Sequence, residues 1–113
     1  MRAWGFLTNH AHVLIQIARN PRSTVRQIAL SAGITERATH AVLKDLRDAG
    51  IVIAQRNGRQ NVYRVDPAAL ASHQRWAASD MAIPKPLIEA TLRGLERVAA
   101  GGAAQREQQA KPA

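Results

Sequence analysis

Residues 31–50 read SAGITERATHAVLKDLRDAG, and two glycines divide this stretch into helical pieces. Gly33 is expected to end one helix, Thr35 is a good N-cap for the next, and Gly50 is expected to end that one. Two short helices joined by a three-residue turn cannot bury their apolar sides without further elements. The stretch therefore predicts a helix pair that the rest of a small domain holds in place.

Two helices are predicted before Thr35. The first begins at Thr8 or Asn9 and runs to about Asn20, and the second begins after Ser23 or Thr24. With the helix after Thr35 they make three, and residues suited to one core recur on them at helical spacing. These residues are Val13, Leu14, Ile17, Val25, Ile28, Ala29, Ala32, Thr39, Val42, Leu43 and Leu46.

Residues 51–65, IVIAQRNGRQNVYRV, change from a helical to an extended pattern. Asn57-Gly58 between two β-prone runs is a strong hairpin signal, because both residues tolerate a positive φ. A two-stranded ribbon with a polar, basic tip is therefore predicted after the third helix. The tip residues are Arg56, Asn57, Gly58, Arg59, Gln60 and Asn61.

The C-terminal part of the chain contains two more helical segments. Asp66-Pro67 starts a short helix expected to reach about Trp76, and a longer helix is expected over about residues 86–100. Its apolar stripe has no obvious place in a three-helix core, so we expect it to pair two copies of the chain. Folding back on its own domain and binding a different protein are the alternatives. The stripe consists of Leu87, Ile88, Leu92, Leu95 and Val98.

Charge and composition narrow the possible partners. Lys and Arg number 16 against 8 Asp and Glu, a net charge of +8. Between residues 19 and 64 nine basic residues face three acidic ones, a net +6. A concentrated basic zone attracts a polyanion, most commonly nucleic acid, although a merely solvated basic face has the same composition.

Several kinds of site find no support in the sequence. The chain has no cysteine, which excludes disulfides and Cys-ligated zinc. His10 and His12 point about 200° apart on a helix, so they do not share a metal ion within it. No catalytic triad, carboxylate pair or phosphate-binding loop stands out. We therefore expect no enzyme, no metal site and no cofactor.

The sequence also bears on location. No apolar run approaches the roughly 20 residues that span a bilayer, and no secretory pattern is present at the N-terminus. A cytoplasmic protein without membrane contact is expected. Because little chain lies beyond the predicted domain, we expect no large pocket for an effector, with a crevice at a dimer interface as the alternative.

The order helix, glycine turn, helix and basic hairpin is that of a helix-turn-helix unit with a wing. Residues 23–65, STVRQIALSAGITERATHAVLKDLRDAGIVIAQRNGRQNVYRV, resemble the winged helix-turn-helix domain of bacterial transcriptional regulators of the MarR and ArsR types. The matching features are the glycine turn, a reader helix ending in LRDAGIV and a wing containing Arg and Gly, and the resemblance covers about residues 9–66.

The resemblance implies a mainly α fold with a small β-hairpin wing, plus a C-terminal dimerisation helix. Residues 1–76 would form the DNA-binding domain and residues 77–100 a linker and the dimerisation helix. Independently of the resemblance, residues 101–113 are expected to form a disordered tail, because they are polar and lack apolar anchors. The implied function is sequence-specific binding of double-stranded DNA by a homodimer that represses transcription. A winged helix that binds only other proteins is the alternative function.

The candidate site residues fall into three groups by their expected position on DNA. The residues near the start of the reader helix reach base edges most easily, and they are Thr35, Arg37, His40 and Ala41. Residues expected at phosphates are Ser23, Thr24, Arg26, Lys44 and Arg47. The wing contributes Arg56, Asn57, Arg59, Gln60 and Asn61. A solvated polar helix face and an idle hairpin tip are the simpler interpretations of these residues.

Overall fold

The helices and strands follow the predicted order. The structure, a computed structural model, describes residues 5–73 and 84–110, with side chains described up to residue 102. Its elements are α1 (Asn9–Arg19), α2 (Val25–Ala32), α3 (Glu36–Asp48), β1 (Val52–Asn57), β2 (Gln60–Val65), α4 (Pro67–Ala71) and α5 (Lys85–Ala110). The mainly helical class with one antiparallel hairpin is confirmed. No helix within the described ranges is long and apolar enough to cross a membrane.

A threonine caps each of the three N-terminal helices. Thr8, Thr24 and Thr35 have extended backbone, and each side chain accepts a hydrogen bond from a backbone N–H in the following turn at 3.0–3.2 Å. The cap of α2 is therefore Thr24 rather than Ser23. Gly33 ends α2 with a φ of 71°, a left-handed conformation that costs glycine little. Local capping chemistry thus places all three helix starts.

One core joins the three helices to the base of the ribbon and to α4. Its buried residues are Val13, Leu14, Ile17, Ile28, Val42, Leu43, Leu46, Ile51, Val52, Tyr63 and Leu70. Thr39 is also fully buried, and its hydroxyl donates a hydrogen bond of 2.9 Å to the carbonyl of Thr35. The predicted inward face of α3 is therefore confirmed, and its one polar member has a partner.

The hairpin turn lies one residue further along the chain than predicted. Asn57 pairs with Gln60, so the two central residues of the turn are Gly58 and Arg59. Only Gly58 has a positive φ, of 66°. A glycine at the first central position is typical of a type II′ turn, which matches the twist of the two strands. Asn57 consequently belongs to the strand and not to the turn.

The short helix α4 ends earlier than predicted. Asp66 caps it, accepting hydrogen bonds from the N–H groups of Ala68 and Ala69, and the helix ends at Ala71. The predicted end near Trp76 is wrong, because Ser72 is the C-cap and its backbone leaves the helical conformation. Trp76 itself and the predicted linker from residue 77 to residue 83 lie outside the described residues.

The long helix α5 continues past its predicted end. Gly101 and Gly102 lie inside the helix, which runs to Ala110. The prediction of disorder is therefore wrong for residues 101–110, while residues 111–113 lie outside the described part. A Cβ at Gly102 would overlap the carbonyl oxygen of Arg19 at the end of α1. Glycine at this position permits two helices to approach closely.

The apolar stripe of α5 is only partly covered by its own chain. Leu92 and Leu95 pack against the core, so this part of the helix folds back on the domain. Ile88 and Val98 are half-buried, and 56% of Leu87 is exposed. The alternative of folding back thus holds for two of the five predicted pairing residues, and the start of the stripe remains at the surface.

Candidate nucleic-acid interface

The exposed side of α3 carries most of the residues predicted to read bases. Arg37, His40, Ala41 and Lys44 are exposed and follow one another at intervals of three, one and three residues. This spacing places them on one face of the helix, opposite the buried stripe. A helix with one free polar face and one buried face can enter the major groove of DNA without disturbing the core that supports it.

Thr35 has a structural role as well. Its side-chain oxygen accepts the N–H of Ala38 at 3.0 Å, and its carbonyl accepts the hydroxyl of Thr39. The hydroxyl hydrogen of Thr35 remains the group that can be donated to a base or a phosphate. Thr35 can therefore contact DNA as a hydrogen-bond donor, while its side-chain oxygen and its carbonyl are already engaged within the helix.

Lys44 and Asp48 form an ion pair on the exposed face of α3. The Lys44 Nζ lies 2.7 Å from the Asp48 Oδ2, and both side chains are largely exposed. The hydrogen bond to Asp48 raises the pKa of Lys44, so the ammonium stays charged. A DNA phosphate would have to compete with this carboxylate for Lys44. Arg47, the other predicted phosphate contact on α3, is exposed in its last turn.

A second pair on α3 was not predicted from the sequence. The His10 Nε2 lies 2.9 Å from the Asp45 Oδ2, which connects the first turn of α1 to the outer part of α3. The two residues are 35 positions apart, and no local pattern joins them. Two of the three acidic side chains of α3, Asp45 and Asp48, are thus engaged with neighbours, which reduces their repulsion toward a polyanion.

The start of α2 differs from the prediction at Ser23. This side chain is 1% exposed, donates to the carbonyl of Asn20 at 2.8 Å and accepts from the Gln16 Nε2 at 3.0 Å. Ser23 is therefore not a surface group that can meet phosphate, and its prediction as a phosphate contact is wrong. The reason is tertiary, since a side chain from α1 covers it.

Thr24 and Arg26 remain at the surface of α2. Thr24 and Gln27 form a capping box, in which each side chain accepts the backbone N–H of the other at 2.9–3.1 Å. Two backbone donors at this helix end are consequently already satisfied. Arg26 is exposed in the first turn, and its guanidinium is the strongest group here for holding a phosphate.

The tip of the ribbon is exposed throughout. All five predicted wing residues, Arg56, Asn57, Arg59, Gln60 and Asn61, lie at the surface. The Arg56 Nε donates to the carbonyl of Gly58 at 3.2 Å, which bends this side chain toward the turn. A guanidinium has five N–H donors, so this single bond leaves the charged end available to a phosphate.

Three backbone hydrogen bonds fix the base of the ribbon. Ile51 donates to Leu46 at 2.9 Å, and Asp66 donates to Ile51 at 2.7 Å. Tyr63 donates to the carbonyl of Pro21, in the turn between α1 and α2, at 2.8 Å. The wing is therefore attached both to the end of α3 and to the turn before α2, which gives it a set position beside the reader helix.

A cleft of about 970 Å³ lies between α1, the end of α3, α4 and α5. Leu14, Leu46, Leu70 and Leu95 line it together with the His10–Asp45 pair. This space is larger than the short chain led us to expect. Within the described residues, no group of three or more His, Cys, Asp or Glu is placed to hold a metal ion.

The chain is similar in sequence to a known protein family. The model of the MarR family matches residues 4–60, which include α1, α2, α3 and β1. Among solved structures, the chain is similar to a MarR family protein of Mycobacterium tuberculosis in complex with salicylic acid, with 26% identity and a TM-score of 0.49. That alignment covers 91% of this chain and 73% of the other. No curated protein matches significantly.

Proposed function

The chain belongs to the MarR family of DNA-binding transcription regulators, which are not enzymes, and we propose that it is a sequence-specific repressor acting as a dimer on double-stranded DNA. The observation that carries the proposal is the exposed stripe of Arg37, His40, Ala41 and Lys44, beside a basic wing. We assign DNA binding to residues 1–76 and pairing to the C-terminal helix after a linker, within residues 77–100.

Base reading falls to the start of α3. Arg37 can donate two hydrogen bonds to the O6 and N7 atoms of a guanine, and the methyl group of Ala41 can contact a thymine methyl. His40 lies between them on the same face, and Thr35 adds a hydroxyl at the helix start. These four residues offer both polar and apolar contacts, which suits discrimination among base pairs.

Phosphate binding falls to basic residues around that stripe. Arg26 lies at the start of α2, Lys44 and Arg47 lie further along α3, and Arg56 and Arg59 lie on the wing. Thr24 can donate its hydroxyl hydrogen beside Arg26. Such contacts hold the protein in register on the duplex and supply affinity that does not depend on sequence.

Pairing of two copies falls to the part of α5 that its own chain leaves uncovered. Leu87 is 56% exposed, and Ile88 and Val98 are half-buried. Two reader helices in one dimer would meet half-sites roughly 34 Å apart. A dimer bound across a promoter excludes polymerase, which is the basis for proposing repression. We place this activity in the cytoplasm of a bacterial cell, where the chromosome lies.

Selection of bound duplexes from a genomic library tests the proposal. We expect enrichment of a short site with two related halves, and Arg37→Ala should cost about 1–3 kcal/mol of binding at one base position in each half. Arg97→Ala on the exposed side of α5 is the control and should leave the preference unchanged. Recovery of fragments without a shared site would instead support a winged helix that binds proteins.

Light scattering tests the dimer. The wild-type chain should have twice the mass of a single copy, and Leu87→Ser should shift the equilibrium toward the monomer. Arg93→Ser, an exposed position on the same helix, is the control and should remain dimeric. A wild-type protein that stays monomeric at the concentrations where it binds DNA would contradict the dimer.

A further inference from the structure

One side chain of α1 contacts both ends of α2. The Gln16 Nε2 donates to the Ser23 Oγ at 3.0 Å, just before the helix. The Gln16 Oε1 accepts the hydroxyl of Ser31, in the last turn of α2, at 2.9 Å. Gln16 itself is half-buried. Because its amide is engaged at both ends of α2, it limits rotation and sliding of that helix on α1.

The turn over residues 20–23 connects this amide to the wing. The buried Ser23 hydroxyl donates to the carbonyl of Asn20 at 2.8 Å. In the same turn, the carbonyl of Pro21 accepts the N–H of Tyr63 in β2 at 2.8 Å. The contacts of Gln16 therefore end on a segment that also holds the wing, so a single side chain links α1, α2 and the ribbon.

The reader helix depends on the position of α2. Only three residues separate α2 from α3, and the N–H groups of Gly33 and Ile34 in this turn donate back to carbonyls of α2 at 3.0–3.3 Å. A shift of α2 is consequently transmitted to α3. The wing is also held at the carbonyl of Pro21, in the turn before α2, so a shift of α2 and α3 changes the position of the reader helix relative to this attachment.

We propose that Gln16 is a positioning residue for sequence discrimination, which sets the reader helix relative to the wing although it lies outside the exposed DNA-binding face. The inference rests on the proposed function. Hydrogen bonds to base edges weaken steeply when distance or angle changes, so they require a fixed helix. Contacts of flexible Arg and Lys side chains with phosphates tolerate small shifts. Loss of Gln16 should therefore reduce discrimination and leave general DNA affinity intact.

Binding of Gln16→Met to two duplexes tests this role. Methionine has nearly the same shape and lacks the amide, so both hydrogen bonds are lost and the packing is kept. We expect affinity for the selected site to fall about tenfold, the size of effect that follows from losing a hydrogen bond that positions a reading group. Affinity for a random duplex and its salt dependence should stay at the wild-type values.

Two further variants separate positioning from stability. Thr91→Ala removes a hydroxyl that donates to the carbonyl of Leu87 within α5, and it should leave the ratio of the two affinities unchanged. Ser31→Ala removes only the exposed end of the network and should lower the ratio about threefold, as expected for half of the interaction. If Gln16→Met does not fold, Ser31→Ala carries the test.

The outcomes distinguish this inference from the function on which it rests. A wild-type protein that does not discriminate between duplexes would overturn the proposed function. A wild-type protein that discriminates, with a Gln16→Met variant that does so equally well, would overturn only the positioning role. An equal loss on both duplexes, in proportion to the unfolded fraction, would show that Gln16 acts on stability alone and would also overturn it.

Discussion

The reader helix α3 and the C-terminal helix α5 both carry an apolar stripe, but only the stripe of α3 is fully covered within the chain. Val42, Leu43 and Leu46 are 3–6% exposed, whereas Leu87 at the start of α5 is 56% exposed. The outer faces differ as well, since that of α3 is rich in charged side chains. One stripe therefore supports the domain, and the other remains partly at the surface.

The difference arises from the neighbours of each helix. α3 packs against α1, α2 and β1, while α5 lies chiefly along α1, with a smaller contact to α4. A stripe enclosed by three elements is buried on folding of a single copy. A stripe with one main neighbour is left partly in contact with water. In the proposed dimer, the second copy would cover this apolar surface.

Replacing one leucine of each stripe by alanine should give the largest and most unequal changes in the free energy of unfolding. Leu43→Ala should lower the free energy of unfolding by about 2–5 kcal/mol, because it leaves a cavity in the core. Leu87→Ala should change the stability of the monomer by less than about 0.5 kcal/mol, because the site is exposed. Denaturation at a concentration that favours the monomer measures both. Equal losses of unfolding free energy would contradict the difference in burial between the two stripes.

Two adjacent glycines test the contact between α5 and α1. Gly102→Ala should destabilise the packing by about 1–3 kcal/mol, because the new Cβ meets the Arg19 carbonyl. Gly101→Ala, where a Cβ meets no atom within 4 Å, should stabilise the helix by about 0.5–1 kcal/mol. Hydrogen exchange of α5 amides reports the result, and the same sign for both variants would count against the close contact.

The turn before α3 should respond to a glycine-to-alanine substitution in the opposite way to an open position of α5. Gly33→Ala should cost about 1–2 kcal/mol, because a φ of 71° is strained for alanine. Gly94→Ala, in an open part of α5, should add up to about 1 kcal/mol of stability. Thermal unfolding of the two variants checks this prediction. A stable Gly33→Ala protein would mean that the turn can adopt another conformation.

The smallest effect is expected on the outer face of α3. Asp48→Asn releases Lys44 from its 2.7 Å ion pair and should tighten binding to any duplex about two- to fivefold. Glu89→Gln makes the same change of charge on the exposed side of α5 and serves as the control. Titration of a labelled random duplex measures both variants. An equal gain from each would show that only net charge matters.

Local chemistry explains what was predictable from the sequence. Threonine caps, the glycine after α2 and the apolar spacing of α3 each act over a few residues, so the helix pair and its inward face could be recognised directly. The base-reading candidates follow from that face, since the residues opposite a buried stripe are exposed.

Contacts between distant residues explain what was not predictable. Ser23 has the chemistry of a surface cap, but Gln16 covers it. The His10–Asp45 pair joins positions 35 apart. The glycines of α5 suggest a helix end, and the carbonyl of Arg19 shows why one of them is needed inside the helix. In each case a tertiary neighbour overrides the local preference.

The salt dependence of duplex binding shows whether the basic residues beside α3 and on the wing meet DNA phosphates. If Arg26, Lys44, Arg47, Arg56 and Arg59 meet phosphates, the logarithm of the binding constant should fall with that of the salt concentration with a slope of about −4 to −5 per protomer. Replacing Arg56 and Arg59 together by Gln should reduce that slope by about two. Binding that does not change with salt, or an unchanged slope after the loss of both wing arginines, would contradict the proposed DNA-binding function of α3 and the wing.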